Sequence, residues 1–332
     1  AGGNTDSNGI GDFSYAVPSG YLALCSKNLT PNVPSIIRPQ KHFATVTYSG
    51  TGSTNKIESL EFAPDLVWVK RRDSSAYHIW SDTIRGAGNY LVSNTTDAES
   101  SGGSQLINGF LKNGFQVGTE NAVNNGSGTY VAWCWKAGGA AVSNSDGSVA
   151  SQVSANTEAG FSICTWTGTG SNLTFGHGLG KKPDWVITKA RTGSSGCDWF
   201  LYHKDMGATH NLRFNTNDAS GAVSDLFNNT EPTSSVFSIG NSSCINENGG
   251  TYLSYCWTEI PGYSKFGKYT GNGSSDGVFI HLGFRARWFM WKITSDTGGW
   301  GLIDTARDTY NVSGKQLGPD DDDPEASYTV LD

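Results

Sequence analysis

The stretch GTYVAWCWKAGG, Gly128–Gly139, returns later in the chain as GTYLSYCWTEIPG, Gly250–Gly262. Each copy follows an Asn/Gly-rich run, NNGSGTY and then NENGGTY. In extended backbone, successive side chains point to opposite faces. Tyr130, Ala132 and Cys134 therefore share one face, and Val131, Trp133 and Trp135 share the other. Both faces are apolar, which predicts a central strand covered on two sides. The second copy keeps this layout, with Tyr252, Ser254 and Cys256 opposite Leu253, Tyr255 and Trp257. The recurrence argues for a buried strand that closes a repeated unit rather than for a reactive cysteine between tryptophans.

Two further anchors recur around this strand. PDLVWVKRRDSSAYHIWSDTIRG, Pro64–Gly86, is matched by PDWVITKARTGSSGCDWFLYHKDMG, Pro183–Gly207, and by RWFMWKITSDTGGWGLIDTARD, Arg287–Asp308. Each copy reads as an apolar run ending in a lysine (Lys70, Lys189, Lys292), a polar turn, a second apolar run and an aspartate (Asp82, Asp205, Asp304). Arg85 and Arg307 follow their aspartates by three residues, where the second copy has Ala208. Each unit opens on an aromatic strand entering a Gly-rich turn, at Phe43, Phe161 and Phe266. Phe43 and Phe161 stand 118 residues apart, the scale of a β-domain rather than a solenoid coil.

The expected organisation is all-β: tandem antiparallel β-sandwich units of jelly-roll or lectin-like type. Residues 42–141 form the first, 142–158 a small-residue linker, 159–262 the second and 264–332 a partial third. The third unit has the first two anchors but not the closing strand.

Composition agrees. Forty-three glycines punctuate the chain, and 11 Trp, 13 Tyr and 15 Phe supply the bulky apolar volume, so strands are favoured. Charged residues are only 16%, which suits an extracellular or virion protein. The net charge of −7 opposes nucleic-acid binding, and no apolar run reaches the length of a membrane span. There is no initiator Met and no leader, so the chain is expected to begin after processing or to be part of something longer. The six cysteines include no CxxC, and free thiols are the expectation.

The polar constellations divide into structural and ligand-binding readings. The lysines and arginines of the repeat are expected to hold the aspartates and brace one hairpin against another, with each lysine at a solvated strand end. His203 and Asp205 are close enough in sequence to chelate a cation, though a surface strand end is the plainer reading. The run Asp320, Asp321, Asp322, Asp323 is the one place where calcium is conceivable, but it lacks the spaced ligands of a calcium loop. No other metal or cofactor is expected. Trp166, Trp199 and Trp300 flank Gly-rich turns and are candidates for stacking on sugar rings, against a core role for each. No catalytic pair, nucleophile elbow or phosphate loop is singled out, so an enzyme is not expected.

GDFSYAVPSGYLALCSKNL, Gly11–Leu29, resembles the closing segment of SPRY-like domains in tailed-phage structural proteins. The units from FATVTYSGTGS onward resemble a repeated domain of unknown function in virion proteins of marine tailed phages, cyanophages included. The resemblance covers about residues 8–315 and transfers no catalytic residue. It implies that residues 1–41 are a remnant of a SPRY-like segment. It also implies a virion setting, with other virion proteins and host-surface glycan as partners and a trimeric fibre or adhesin as the leading form. A capsid decoration protein, a glycan-degrading spike and a secreted lectin-like module are the alternatives.

Overall fold

A computed structural model describes residues 2–25, 28, 35–194 and 196–331. Unit one contains β1 (Phe43–Ser49), β2 (Asn55–Ile57), β3 (Leu66–Arg71), β4 (Ile79–Asp82), β5 (Asn89–Val92), β6 (Ser100–Ser101), β7 (Ile107–Leu111), β8 (Gly114–Val117) and β9 (Thr129–Trp135). Unit two contains β10 (Val142–Asn144), β11 (Ser151–Asn156), β12 (Phe161–Thr167), β13 (Leu173–Gly176), β14 (Trp185–Ala190), β15 (Phe200–His203), β16 (His210–Arg213), β17 (Gly221–Ala222), β18 (Val236–Ile239) and β19 (Thr251–Trp257). Unit three contains β20 (Trp288–Trp291), β21 (Gly301–Asp304), β22 (Ser313–Gln316) and β23 (Ala326–Leu331). The named strand pairs are all antiparallel, and the fold is of the all-β, sandwich type.

In unit one the sheet order is β1-β9-β3-β4-β5-β6, faced by a small outer sheet β2-β8-β7. Unit two repeats the scheme as β12-β19-β14-β15-β16-β17, faced by β13-β18. β10 and β11 extend that sheet beyond β12, so residues 142–158 belong to unit two rather than linking it. Val153 at 3% exposure shows why: alternate residues of β11 pack into unit two's outer core. Over residues 1–41 the described structure is sparse, with one bridge between Asn4 and Phe13. Ser26, Lys27 and Leu29 of the SPRY-like stretch lie outside the described residues.

The closing strand explains the architecture. Tyr130, Ala132 and Cys134 of β9 face the outer sheet, packing with Ile57, Phe115 and Val117. Val131, Trp133 and Trp135 face the other way, into a core shared by all three units. β19 does the same, sending Leu253, Tyr255 and Trp257 into that shared core and Tyr252 and Cys256 into unit two's own. Trp300, Leu302 and Leu317 of unit three complete it. The units are therefore walls around one aromatic core, not independent sandwiches on a string.

The Asn/Gly preface also has a physical cause. The Tyr130 hydroxyl folds back on the helical turn Asn121–Asn124, accepting from the Asn125 amide (2.6 Å) and donating to the Asn121 carbonyl (2.8 Å). Tyr252 makes the same lock with the Glu247 amide (2.6 Å) and the Ser243 carbonyl (3.1 Å). The ring passes so close to the start of the strand that a Cβ at Gly128 would sit 2.6 Å from the Tyr130 hydroxyl, and one at Gly250 would sit 2.9 Å from that of Tyr252. Asn124 and Asn246 are fully buried and tie this turn to the opening Gly-rich turn, accepting from the Thr51 and Thr169 amides at 2.8 Å.

Cys197 and Cys244 form a disulfide with Cα atoms 5.2 Å apart, which corrects the free-thiol expectation for this pair. It pins the turn before β15 to the helical turn Ser243–Asn246. Cys134, Cys164 and Cys256 are free and buried, as small core residues.

Candidate functional site

Sheet register shows where the repeated polar residues stand. Leu66 pairs with Asp82, Trp185 with His203 and Trp288 with Asp304. Position for position, Asp82 and Asp304 therefore match His203, not Asp205, and Arg85 and Arg307 match Met206, not Ala208. The sequence pattern is out of step by two residues in unit two, because the turn between the apolar runs is longer there.

Asp82 and Arg85 both have side chains at 0% exposure. Arg85 Nε donates to Asp82 Oδ2 (2.5 Å), and its Nη2 donates to the Trp80 carbonyl (3.0 Å). Asp304 and Arg307 repeat this with 2.6 Å to the carboxylate and 3.0 Å to the Leu302 carbonyl. Each aspartate also accepts from the closing strand of another unit. Tyr255 donates its hydroxyl to Asp82 (2.8 Å), and Trp133 Nε1 donates to Asp304 (3.0 Å).

The lysines do something else: they reach across to carbonyls. Lys189 Nζ donates to the Thr96 carbonyl of unit one (2.9 Å), Lys70 to that of Asp322 in unit three (3.1 Å), and Lys292 to that of Asn217 in unit two (3.4 Å). Unit two thus clasps unit one, unit one clasps unit three, and unit three clasps unit two, so the contacts close into a ring. Bidentate pairs Arg191–Glu99 and Arg72–Glu325, at 2.9 Å, reinforce two of the three joints. Lys70 and Lys189 are 0% and 1% exposed, so the expected solvated strand ends are buried clamps. Burial penalises their charge and lowers each ammonium to about 8, against the opposing pull of nearby carboxylates.

Trp166, Trp199 and Trp300 are 4%, 0% and 5% exposed, which corrects their candidacy as sugar platforms. A sugar ring needs an open aromatic face, and these faces are covered. Trp166 stacks on Phe175 at 4.2 Å. The indole N–H groups of Trp199 and Trp300 are inter-unit clamps, donating to the carbonyls of Val92 (2.9 Å) and Arg213 (3.1 Å).

His203 Nδ1 accepts from the Asp205 amide (3.1 Å), an ordinary turn contact. Asp320 accepts from the Trp300 amide (3.0 Å), and burial raises its carboxyl to about 6. The Asp322 carbonyl takes Lys70 and the Ala76 amide. Among the described residues no group of three or more His, Cys, Asp or Glu is placed to hold a metal ion, the Asp320–Asp323 run included. No helix among the described residues is long and apolar enough to cross a membrane.

One basic site is open to solvent. Ser35, Ile36, Ile37, Arg38, Lys41, His42, Lys136 and Glu158 line a cavity of about 330 Å³. It exists because β1 and β9 pair with Phe43 opposite Trp135, so His42 and Lys136 are adjacent, joined by a Lys136 amide to His42 carbonyl bond of 2.8 Å. Arg38 is paired to Glu61 at 2.5 Å. Lys41 and Lys136 are exposed and make no ion pair among the described residues. His42 lies between Asn156 (3.0 Å) and Glu158 (3.8 Å), and burial lowers its pKa, so the imidazole is neutral at neutral pH. The two lysines can hold a carboxylate or sulfate, against the repulsion of the Glu158 carboxylate that lines the same cavity; the His42 ring nitrogens already face Asn156 and Glu158. In sequence its only trace is the basic PQKH before β1 and the lysine after the closing strand; unit two has Gly160 and Thr258 there, joined by the same bond.

Residues 38–332 match the family model described as a domain of unknown function, DUF7483, and the chain belongs to that family. No curated protein and no solved structure matches the chain.

Proposed function

Starting from membership of that family, we propose that this chain is a virion structural protein, a host-facing fibre or adhesin that contacts an acidic cell-surface glycan through the Lys41–Lys136 pocket. The observation that carries this reading is that pocket: two exposed lysines, with no ion pair among the described residues, lining one cavity in a protein whose overall charge is −7. The frame suits mechanical use, because its buried charges join walls rather than face a cleft. The resemblance of its units to repeats in phage virion proteins points the same way. Each site is expected to bind weakly and to gain by multivalency, in a trimer or larger array.

The test is binding of the 332-residue protein, displayed multivalently, to arrays of uronate-bearing, sulfated and neutral glycans. Binding restricted to acidic glycans and lost in Lys41→Ala/Lys136→Ala supports the reading. Binding that is absent, or indifferent to both lysines, sinks it. A capsid decoration role is the second reading, favoured by the unfinished edge of unit three, where another protein strand can attach; a copy number following the capsid lattice would establish it.

A further inference from the structure

Among the described residues, unit three has no counterpart of the closing strand, of the aromatic opening strand or of the outer sheet. In unit one, β9 lies between β1 and β3, with Trp135 opposite both Phe43 and Leu66. In unit two, β19 lies between β12 and β14, with Trp257 opposite both Phe161 and Trp185. Among the described residues, β20 of unit three pairs only with β21. The Thr305 amide bonds the Arg287 carbonyl (2.9 Å), and alternation then turns the backbone groups of Trp288 and Met290 toward the unpaired edge.

On the far side of the gap residues 265–287 form no strand, but the opening aromatic is seated there. Phe266 packs on Trp185 at 5.9 Å, as Phe43 packs on Trp288 at 6.2 Å across the preceding joint. The slot also opens onto apolar surface. Phe289 and Trp291, stacked at 5.4 Å, are only half-buried. Their counterparts Val67, Val69, Val186 and Thr188 are at 0% exposure beneath outer sheets.

We propose that unit three is a strand acceptor, whose β20 edge takes an extended polypeptide segment from outside residues 1–332 written in the pattern of β9 and β19. The two complete units specify the occupant. Its final tryptophan pairs with Trp288, the preceding small or thiol residue with Phe289, and its central aromatic with Met290. In the closed joints that central aromatic is Trp133 on Asp304 or Tyr255 on Asp82. At the third joint the equivalent position is His203, half-buried, whose Nδ1 already accepts from the Asp205 amide, so its Nε2–H is left to donate to the hydroxyl of an incoming tyrosine. Main-chain pairing supplies affinity in such strand addition, and the alternate side chains supply register.

The probe is a synthetic peptide with the sequence of Gly250–Trp257, carrying Cys256→Ala and two appended lysines, against a scrambled peptide of the same composition. Binding is read by fluorescence anisotropy and by hydrogen exchange of the Trp288 and Met290 amides. The expected result is saturable binding of the ordered peptide only, with exchange of both amides slowed at least about tenfold. Met290→Pro removes an edge donor without touching the ladder to β21 and should abolish binding. Absence of saturable binding, equal binding of the scrambled peptide, or unchanged exchange overturns the proposal. So does a concentration-dependent dimer that protects the two amides without peptide, which would make a second copy the occupant. If Met290→Pro fails to fold, exchange in the parent protein decides. Lys41 and Lys136 take no part, so the glycan reading stands or falls separately.

Discussion

Replacing Arg85 by methionine tests the claim that buried ion pairs hold the walls. The guanidinium is fully enclosed and contacts Asp82, the Trp80 carbonyl, the Tyr255 hydroxyl (3.2 Å) and Glu99 (3.5 Å). Arg85→Met leaves the Asp82 carboxylate in the core with the Tyr255 hydroxyl and the residue 85 amide as its donors. Breaking one side of a buried pair costs about 3–5 kcal/mol. With a urea dependence of about 3 kcal/mol/M for a chain this long, the midpoint should fall by about 1–2 M. Lys182→Met is the control, because Lys182 and Glu231 form an exposed pair at 45% and 48%, worth about 0–1 kcal/mol. The double variant Asp82→His/Arg85→Met writes unit two's own pair, His203 and Met206, into unit one. It should recover most of the loss, since no lone carboxylate remains. Urea titration followed by tryptophan fluorescence measures all three. If Arg85→Met moves the midpoint no more than Lys182→Met, or the double variant is worse than the single, the clamp reasoning is wrong.

Other outcomes follow from the same contacts. Lys70 titrates near 8 when folded and near 10.5 when unfolded, so the folded state holds fewer protons between these values. Its contribution to stability therefore rises with pH across that window, and the parent should gain on Lys70→Met between about pH 8 and pH 10; parallel pH curves would show that the ammonium is not buried. Reducing the Cys197–Cys244 bridge, which spans 47 residues, should cost about 4 kcal/mol by chain entropy, read as a lower midpoint with reductant present. Trp199→Ala should cost about 3–5 kcal/mol and leave glycan binding unchanged at a temperature where the protein is folded; lost binding with intact folding would return Trp199 to the site. Because three walls share one core, unfolding should be a single transition, and separate transitions for the units would contradict the ring.

Much of the fold is legible in the chain itself. The doubled closing strand, apolar on both faces, predicts a central strand under two layers, and β9 and β19 are that. The repeat boundaries follow from the same phrases. The candidate site was less legible. The repeated phrase matches Asp205 and Ala208 to Asp82 and Arg85 because turn length is invisible until strands pair, and register assigns His203 and Met206 instead. The disulfide left a faint trace: Cys197 and Cys244 stand where unit one has Ala76 and Ala122, two small residues that touch a common core. The three tryptophans beside glycine turns carried no mark distinguishing an exposed face from a covered one.

The sequence by itself determined which segments are strands and how many units there are, because alternation and repetition are local properties of the chain. Only the tertiary structure decided how the units meet. Trp133, Tyr255, Lys70 and Lys189 each find their partner in another unit, more than 90 residues away in sequence. Such pairings follow from the close packing of three aromatic faces that would otherwise stay in water. The same packing leaves the β20 edge of the third unit unpaired among the described residues.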